Sequence, residues 1–205
     1  MKIRQWTSLL LLIGCFGFPY ASFAQDAAIP LGTPMPALDV KLTSGAGAPS
    51  SLGALRGSAY TAVVFWGNKC PWTTRYEDRI QRLSSELTGT GKVLLLVNSN
   101  DAAAFPAESA AASTAYAREN GITIPYLTDP TSALAKALGA SRAPQAFVFD
   151  AAGTLVYSGA IDDSPGDPGN VKKEYLRDAL MAISESRPVA VPETKAFGCM
   201  IRTVR

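Results

Sequence analysis

The chain has 205 residues, with 19 Lys plus Arg against 17 Asp plus Glu, three cysteines and no histidine. Without imidazole there is no Ser-His or Cys-His nucleophile pair, no His-ligated zinc or copper, and no side chain that ordinarily titrates near neutrality. A net charge of +2 with 18% charged residues and no basic run gives no footprint for nucleic acid, so protein or small-molecule partners are expected, and 47% apolar residues suit one domain with its own core.

Lys2 and Arg4 precede an apolar stretch at 9–18, and Ser22-Phe23-Ala24 supplies the small residues a signal peptidase needs before Gln25. Residues 1–24 therefore read as a signal peptide, and the folded part is expected to be exported, periplasmic or otherwise extracytoplasmic. The stretch falls short of the roughly 20 apolar residues that cross a bilayer and is broken by Gly14, Gly17 and Pro19, so no membrane span is expected. Leu12-Ile13-Gly14-Cys15 resembles a bacterial lipobox, which makes a lipid anchor at Cys15 the alternative to cleavage after Ala24. Phe16-Gly17-Phe18-Pro19-Tyr20 stays apolar where a lipoprotein usually turns polar. Simple cleavage leaves two cysteines, Cys70 and Cys199, and removing Lys2 and Arg4 brings the formal charge from +2 to 0. The slight basicity belongs to the leader.

Residues 25–50 are rich in Pro, Gly, Ala and Ser and form an N-terminal arm with one short extended candidate, Ala37 to Leu42. Tyr60 to Trp66 is a continuous apolar, β-rich run, as expected for a strand covered on both faces, and Gly67-Asn68-Lys69 ends it. After Cys70-Pro71, residues Trp72, Tyr76, Ile80, Leu83 and Leu87 make one apolar helical stripe, with Arg75, Glu77, Asp78, Arg79 and Arg82 facing elsewhere. Pro71 suits a first helical turn. Lys92 to Asn98 is a second buried strand, followed by an Ala-rich helix from about Pro106 to Asn120 that Gly121 stops. Asp129 is expected to cap a short helix with Pro130 at its first position and Gly139 at its end. Ala146 to Phe149 and Thr154 to Ile161 form a hairpin around Asp150-Ala151-Ala152-Gly153, opened by Pro144. A last helix carries Val171, Tyr175, Leu176, Ala179, Leu180 and Ile183 on one face, and Arg187-Pro188 begins a Pro-broken tail, 187–205. The order of elements predicts an α/β fold with a mixed sheet.

Phe65-Trp66-Gly67-Asn68-Lys69-Cys70-Pro71 at a strand-to-helix junction, with Ala143-Pro144 opening the hairpin, resembles the thioredoxin superfamily. Pro34-Met35-Pro36-Ala37-Leu38, the lead-in from Ser51-Leu52 to Arg56-Gly57 and the Asp150 to Gly153 turn are similar to its redoxin branch, which includes the alkyl hydroperoxide reductase/thiol-specific antioxidant proteins. The resemblance implies a single thioredoxin-like domain at 51–186 with a central mixed sheet flanked by helices, a nucleophilic Cys70, and a cis peptide at Pro144 beside it. A thiol at a helix start is favoured as thiolate by the unpaired N–H groups and the dipole. Lys69 and Arg75 add positive charge nearby, and in such a fold Arg142 is the preferred cation for the sulfur.

The departures from the family matter equally. The segment Cys70-Pro71-Trp72-Thr73 carries a hydroxyl, Thr73, where thioredoxin-like reductases carry the second cysteine, and Val64 stands where those proteins bury an acid. A peroxiredoxin would place Thr or Ser three residues before its cysteine and Pro four residues earlier, where this chain has Gly67 and Val63. In this fold the last helix, 172–185, runs about 20 Å away from the active-site end. The extended tail from 187 to 198 reaches roughly 40 Å, enough to bring Cys199 back to Cys70. The same topology puts Asp162-Asp163-Ser164-Pro165-Gly166-Asp167 at that end, read as a solvated acidic loop without the alternation of a calcium site.

The leading expectation is an exported thiol oxidoreductase with antioxidant activity. Cys70 attacks a protein or small-molecule disulfide or a peroxide, Cys199 is the candidate resolving partner, and an external thiol restores the reduced form. No cofactor and no metal are expected. The alternative is a redox-inactive binding or scaffold protein in which Cys70 and Cys199 form a structural disulfide.

Overall fold

The computed structural model describes residues 28–44, 47, 49–87 and 89–205; the leader with Cys15 and the cleavage site lies outside them. Its elements are β1 (Lys41–Leu42), β2 (Ser50–Ser51), α1 (Leu52–Leu55), β3 (Tyr60–Phe65), α2 (Pro71–Glu86), β4 (Lys92–Asn98), α3 (Ala110–Glu119), β5 (Tyr126–Thr128), α4 (Ala133–Leu138), β6 (Arg142–Ala143), β7 (Gln145–Asp150), β8 (Leu155–Gly159), α5 (Tyr175–Ser184) and β9 (Cys199–Met200). The central sheet has the order β5-β4-β3-β7-β8, parallel across β5, β4 and β3 and antiparallel across β3, β7 and β8. This is the mixed α/β sheet that the order of elements predicts and that the resemblance to the thioredoxin superfamily implies.

β3 runs through the middle, and all six of its residues are buried. Its alternation divides the core. Ala62, Val64 and Trp66 pack with Tyr76, Ile80, Leu176 and Leu180 of α2 and α5. Val63 and Phe65 point to the other face, against Leu134 and Leu138 of α4, Phe147 and the arm residues Met35 and Leu42. Residues 28–44 are tied down as well: the Gly32 and Met35 N–H groups donate to the Leu155 and Gly153 carbonyls.

Several local expectations change. Of the extended candidate Ala37 to Leu42, Lys41–Leu42 is strand, paired with Ser50–Ser51. The Ala-rich helix starts at Ala110, because Ser109 caps it, its hydroxyl accepting the Ala112 N–H, and Pro106–Glu108 is a separate 3-10 turn. The Asp129 carboxylate accepts the N–H groups of Ala133, Leu134 and Ala135 from four positions before α4, but the N-cap residue is Ser132, so Pro130 sits in the preceding turn. Residues 171–174 precede α5 and belong to no helix. The buried face of α2 is Thr73, Tyr76, Ile80 and Leu83, with Trp72 only half-buried. No helix among the described residues is long and apolar enough to cross a membrane.

Candidate active site around Cys70 and Cys199

The sheet delivers β3 to a four-residue loop, 66–69, and Cys70 is the N-cap of α2 with Pro71 in the first turn, where a missing N–H costs nothing. The Cys70 side chain makes no capping bond, and the residue is 5% exposed. Thr73, fully buried, holds this turn together: its hydroxyl lies 2.7 Å from the carbonyl oxygens of both Gly67 and Cys70. A hydroxyl that the loop satisfies in this way is buried at little cost. Thr73 thus occupies the position of a second cysteine as a clamp on the loop.

Beneath the loop lies a carboxylate that the sequence pattern does not single out. Glu108 is 8% exposed and accepts the Asn68 N–H (2.8 Å), the Lys69 N–H (3.1 Å) and the Asn98 Nδ2 (2.7 Å). Asn68 extends the network, donating to the Ala107 carbonyl and Ser113 Oγ and accepting the Tyr126 hydroxyl at 2.7 Å. Burial pushes the Tyr126 pKa well above its usual value and keeps the hydroxyl a donor. The approach of Glu108 to residues 39 and 40 positions earlier in the chain is a product of the fold, and a lone acid in a Pro- and Ala-rich stretch gives no signal of it.

Above the loop lies the chain's own tail. Cys199 is disulfide-bonded to Cys70, with Cα atoms 5.9 Å apart. β9 pairs antiparallel with β6, Ala143 opposite Cys199 and Arg142 opposite Met200, and the following Ala143-Pro144 peptide is cis. Gly198 permits the approach: a Cβ there would stand well inside contact distance of the Ala143 carbonyl. Phe197 packs edge-on against Trp72, ring centroids 4.7 Å apart, which accounts for the departure of Trp72 from the core stripe. Upstream, Thr194 Oγ1 accepts the Ala160 N–H and pairs with the Tyr157 hydroxyl. Downstream, the Ile201 N–H donates to the Ser141 carbonyl while its side chain is buried in the core.

The cations sort differently from the sequence reading. Arg75 lies over Trp72 and donates to the Gly166 carbonyl. Arg142 directs its guanidinium to the Gly198 carbonyl, 3.4 Å away, and so bonds the tail backbone. Lys69 lines a cavity of about 470 Å³ beside the disulfide, together with Cys70, Cys199, Phe105, Glu108 and Arg202. Arg202, which the sequence reading does not consider, is held there by stacking on Phe105 at 4.4 Å. Cys70 Sγ lies 3.2 Å from the Ala143 carbonyl oxygen. The oxidised sulfur has no proton to donate, so this is a close contact and not a hydrogen bond.

The acidic loop is not a solvated one throughout. Asp162 is 4% exposed, accepts the Tyr76 hydroxyl and pairs with Arg79, because α2 places both side chains under the loop. Asp163 accepts the Lys172 and Lys173 N–H groups, which hold its carboxyl below the usual range, and Asp167 accepts the Gly169 N–H. No cluster of three or more metal-ligating side chains occurs among the described residues.

Residues 31–158 match the AhpC/TSA family. No curated protein sequence is similar to the chain. Among solved structures, a hypothetical protein from Sinorhizobium meliloti is 31% identical with a TM-score of 0.78, over 87% of this chain and 97% of that one. An uncharacterized conserved protein from Geobacillus kaustophilus is 34% identical with a TM-score of 0.77, over 84% and 92%. The bacterioferritin comigratory protein of Xanthomonas campestris, described with alkyl peroxide reduction activity, shares the fold at 18% identity and a TM-score of 0.56, over 78% and 96%.

Proposed function

We propose that this chain, which belongs to the AhpC/TSA family, is an exported thiol oxidoreductase in which Cys70 is the nucleophile and Cys199 resolves it. The observation that carries the reading is the position of the disulfide. It joins a helix N-cap to a half-buried tail cysteine at the wall of an open cavity. In thiol–disulfide exchange the Cys70 thiolate attacks a substrate disulfide and expels one substrate thiolate. The Cys199 thiolate then attacks the Cys70 sulfur of the mixed disulfide and expels the second. With a peroxide, Cys70 takes one oxygen as sulfenic acid and releases an alcohol or water, and Cys199 displaces water to close the same bond. Gly67 offers no hydroxyl to a bound peroxide, which favours exchange over peroxide reduction. Export fits both the leader pattern at 1–24 and a disulfide, which persists in oxidising compartments.

A second reading, a binding or scaffold protein with a fixed staple, is favoured by the buried Val64 in place of a proton-accepting acid and by the dense hydrogen bonding of the tail. Alkylation mass shifts of the exported full-length chain across a series of redox buffers decide between them. A mature chain starting at Gln25 whose Cys70–Cys199 bond opens and closes reversibly in the folded state, with the couple lost in Cys70→Ser, is the expected result. A bridge that opens only on unfolding would sink the oxidoreductase.

A further inference from the structure

A redox cycle needs electrons from outside, and the surroundings of the disulfide narrow what can deliver them. On one side the edge of β6 is closed. Cys199 pairs with Ala143, the Ile201 N–H donates to Ser141, and Phe197 covers Trp72. A protein dithiol docking by strand addition would need the backbone groups that the tail already uses. On the other side the cavity of about 470 Å³ reaches Cys70 and Cys199 and falls in the range that takes a small molecule. Its charged lining residues are Lys69, Arg202 and Glu108. Both Glu108 oxygens are engaged by the loop amides and Asn98, while the Arg202 guanidinium lies across Phe105 and Lys69 is exposed. The charge left for a visitor is positive.

We propose that the Cys70–Cys199 disulfide is reduced by a small thiol bearing a carboxylate, admitted through this cavity, in preference to a protein dithiol. The proposal rests on the redox-active reading of the same site. The small thiolate attacks Sγ of Cys199, the more exposed of the two cysteines; the S–S bond breaks and Cys70 leaves as thiolate at the start of α2. A second small thiolate attacks the small-thiol sulfur of the mixed disulfide and releases Cys199 as thiolate. Two small thiols are oxidised to one disulfide, and their two electrons and two protons pass to Cys70 and Cys199.

The test follows opening of the bond in the oxidised full chain with 3-mercaptopropionate, 2-mercaptoethanol and reduced thioredoxin, each rate normalised to thiolate concentration. Both small thiols should outrun the protein dithiol. Ala104→Trp at the cavity wall should slow both by about tenfold or more, the equivalent of at least 1.4 kcal/mol in the barrier. The double variant Lys69→Gln with Arg202→Gln should lower the ratio of the 3-mercaptopropionate rate to the 2-mercaptoethanol rate by roughly three- to tenfold, as two partly exposed charge contacts allow. Arg202→Lys should keep that ratio close to the parent's. A faster protein dithiol, or a ratio unmoved in the double variant, overturns the proposal. If no thiol opens the bond without denaturant, the redox reading itself fails and the proposal falls with it.

Discussion

The two sides of the Cys70 loop are built by different means. The floor is a set of buried side chains, Glu108, Asn68, Asn98, Ser113 and Tyr126, whose polar groups are paired with one another or with backbone. The cover is backbone, β9 on β6, held by ladder bonds, the buried Ile201 and one reducible covalent link. A paired polar floor fixes the loop because each partner lost strands another buried group. A backbone cover can loosen residue by residue, and its one covalent link is the Cys70–Cys199 disulfide. The Cys70 loop is thus fixed by side chains from below and covered by backbone from above.

The largest effect expected comes from breaking the floor. Glu108→Ala leaves the Asn68 and Lys69 amides without their acceptor and Asn98 Nδ2 with only its longer bonds to Ser113 Oγ and the residue-108 carbonyl, at a cost of about 2–4 kcal/mol in stability. Urea unfolding midpoints measure this, and Glu108→Gln, which keeps one acceptor oxygen, should lose about half as much. Next comes the covalent link of the cover. Cys199→Ser opens a loop spanning a sequence separation of 129, and should cost about 2–4 kcal/mol, mainly by freeing the unfolded chain. Because that loss lies largely in the unfolded state, amide exchange at Ile201 should stay slower than in an undocked tail. Free exchange there would mean that the disulfide alone holds the cover, and the contrast between the two sides would then be one of bond type only.

The same contrast explains what could be read in the sequence. β3, β4 and the β7–β8 hairpin announce themselves as apolar runs with turn signals, since burial on both faces needs nothing but apolar residues. The Cys70 junction is legible because Pro71 marks a first helical turn after an apolar run, whereas the cis peptide at Pro144 is expected only through the family resemblance. The floor is not legible, because Asn68, Glu108 and Tyr126 come from three separate segments and each looks like an ordinary polar or amphipathic residue in its own neighbourhood. Thr73 and Trp72 exchange places on the apolar stripe for the same reason. The threonine hydroxyl finds carbonyls within its own turn, and the indole finds Phe197 from a tail segment that helical spacing does not report. Arg142 and Arg75 show the limit for charge: the sequence names the cations at this end of the fold, but not the carbonyls, Gly198 and Gly166, that their guanidinium groups bond.

The smallest effect expected tests whether the cover acts as one unit. Thr194 lies five residues before Cys199, and its Oγ1 accepts the Ala160 N–H at 2.9 Å while hydrogen-bonding the Tyr157 hydroxyl. Thr194→Val keeps the shape and removes the acceptor. The Ala160 N–H then lacks its partner, while Tyr157 retains the Ala160 carbonyl as a hydrogen-bond acceptor, so the net cost should be about 1–2 kcal/mol. Backbone bonds between Ser158 and the tail remain, the Ser158 N–H donating to Pro192 and the Thr194 N–H to Ser158, so loosening should be confined to the Ala160 turn. Amide exchange at Ala160 should therefore quicken, with exchange at Ile201 and the reduction rate of the Cys70–Cys199 bond close to those of the parent. If the reduction rate rises in step with exchange at Ala160, the segments before and after Gly198 open together. The approach to the disulfide would then be governed by docking of the whole tail, and the closed β6 edge would be only as durable as its weakest anchor.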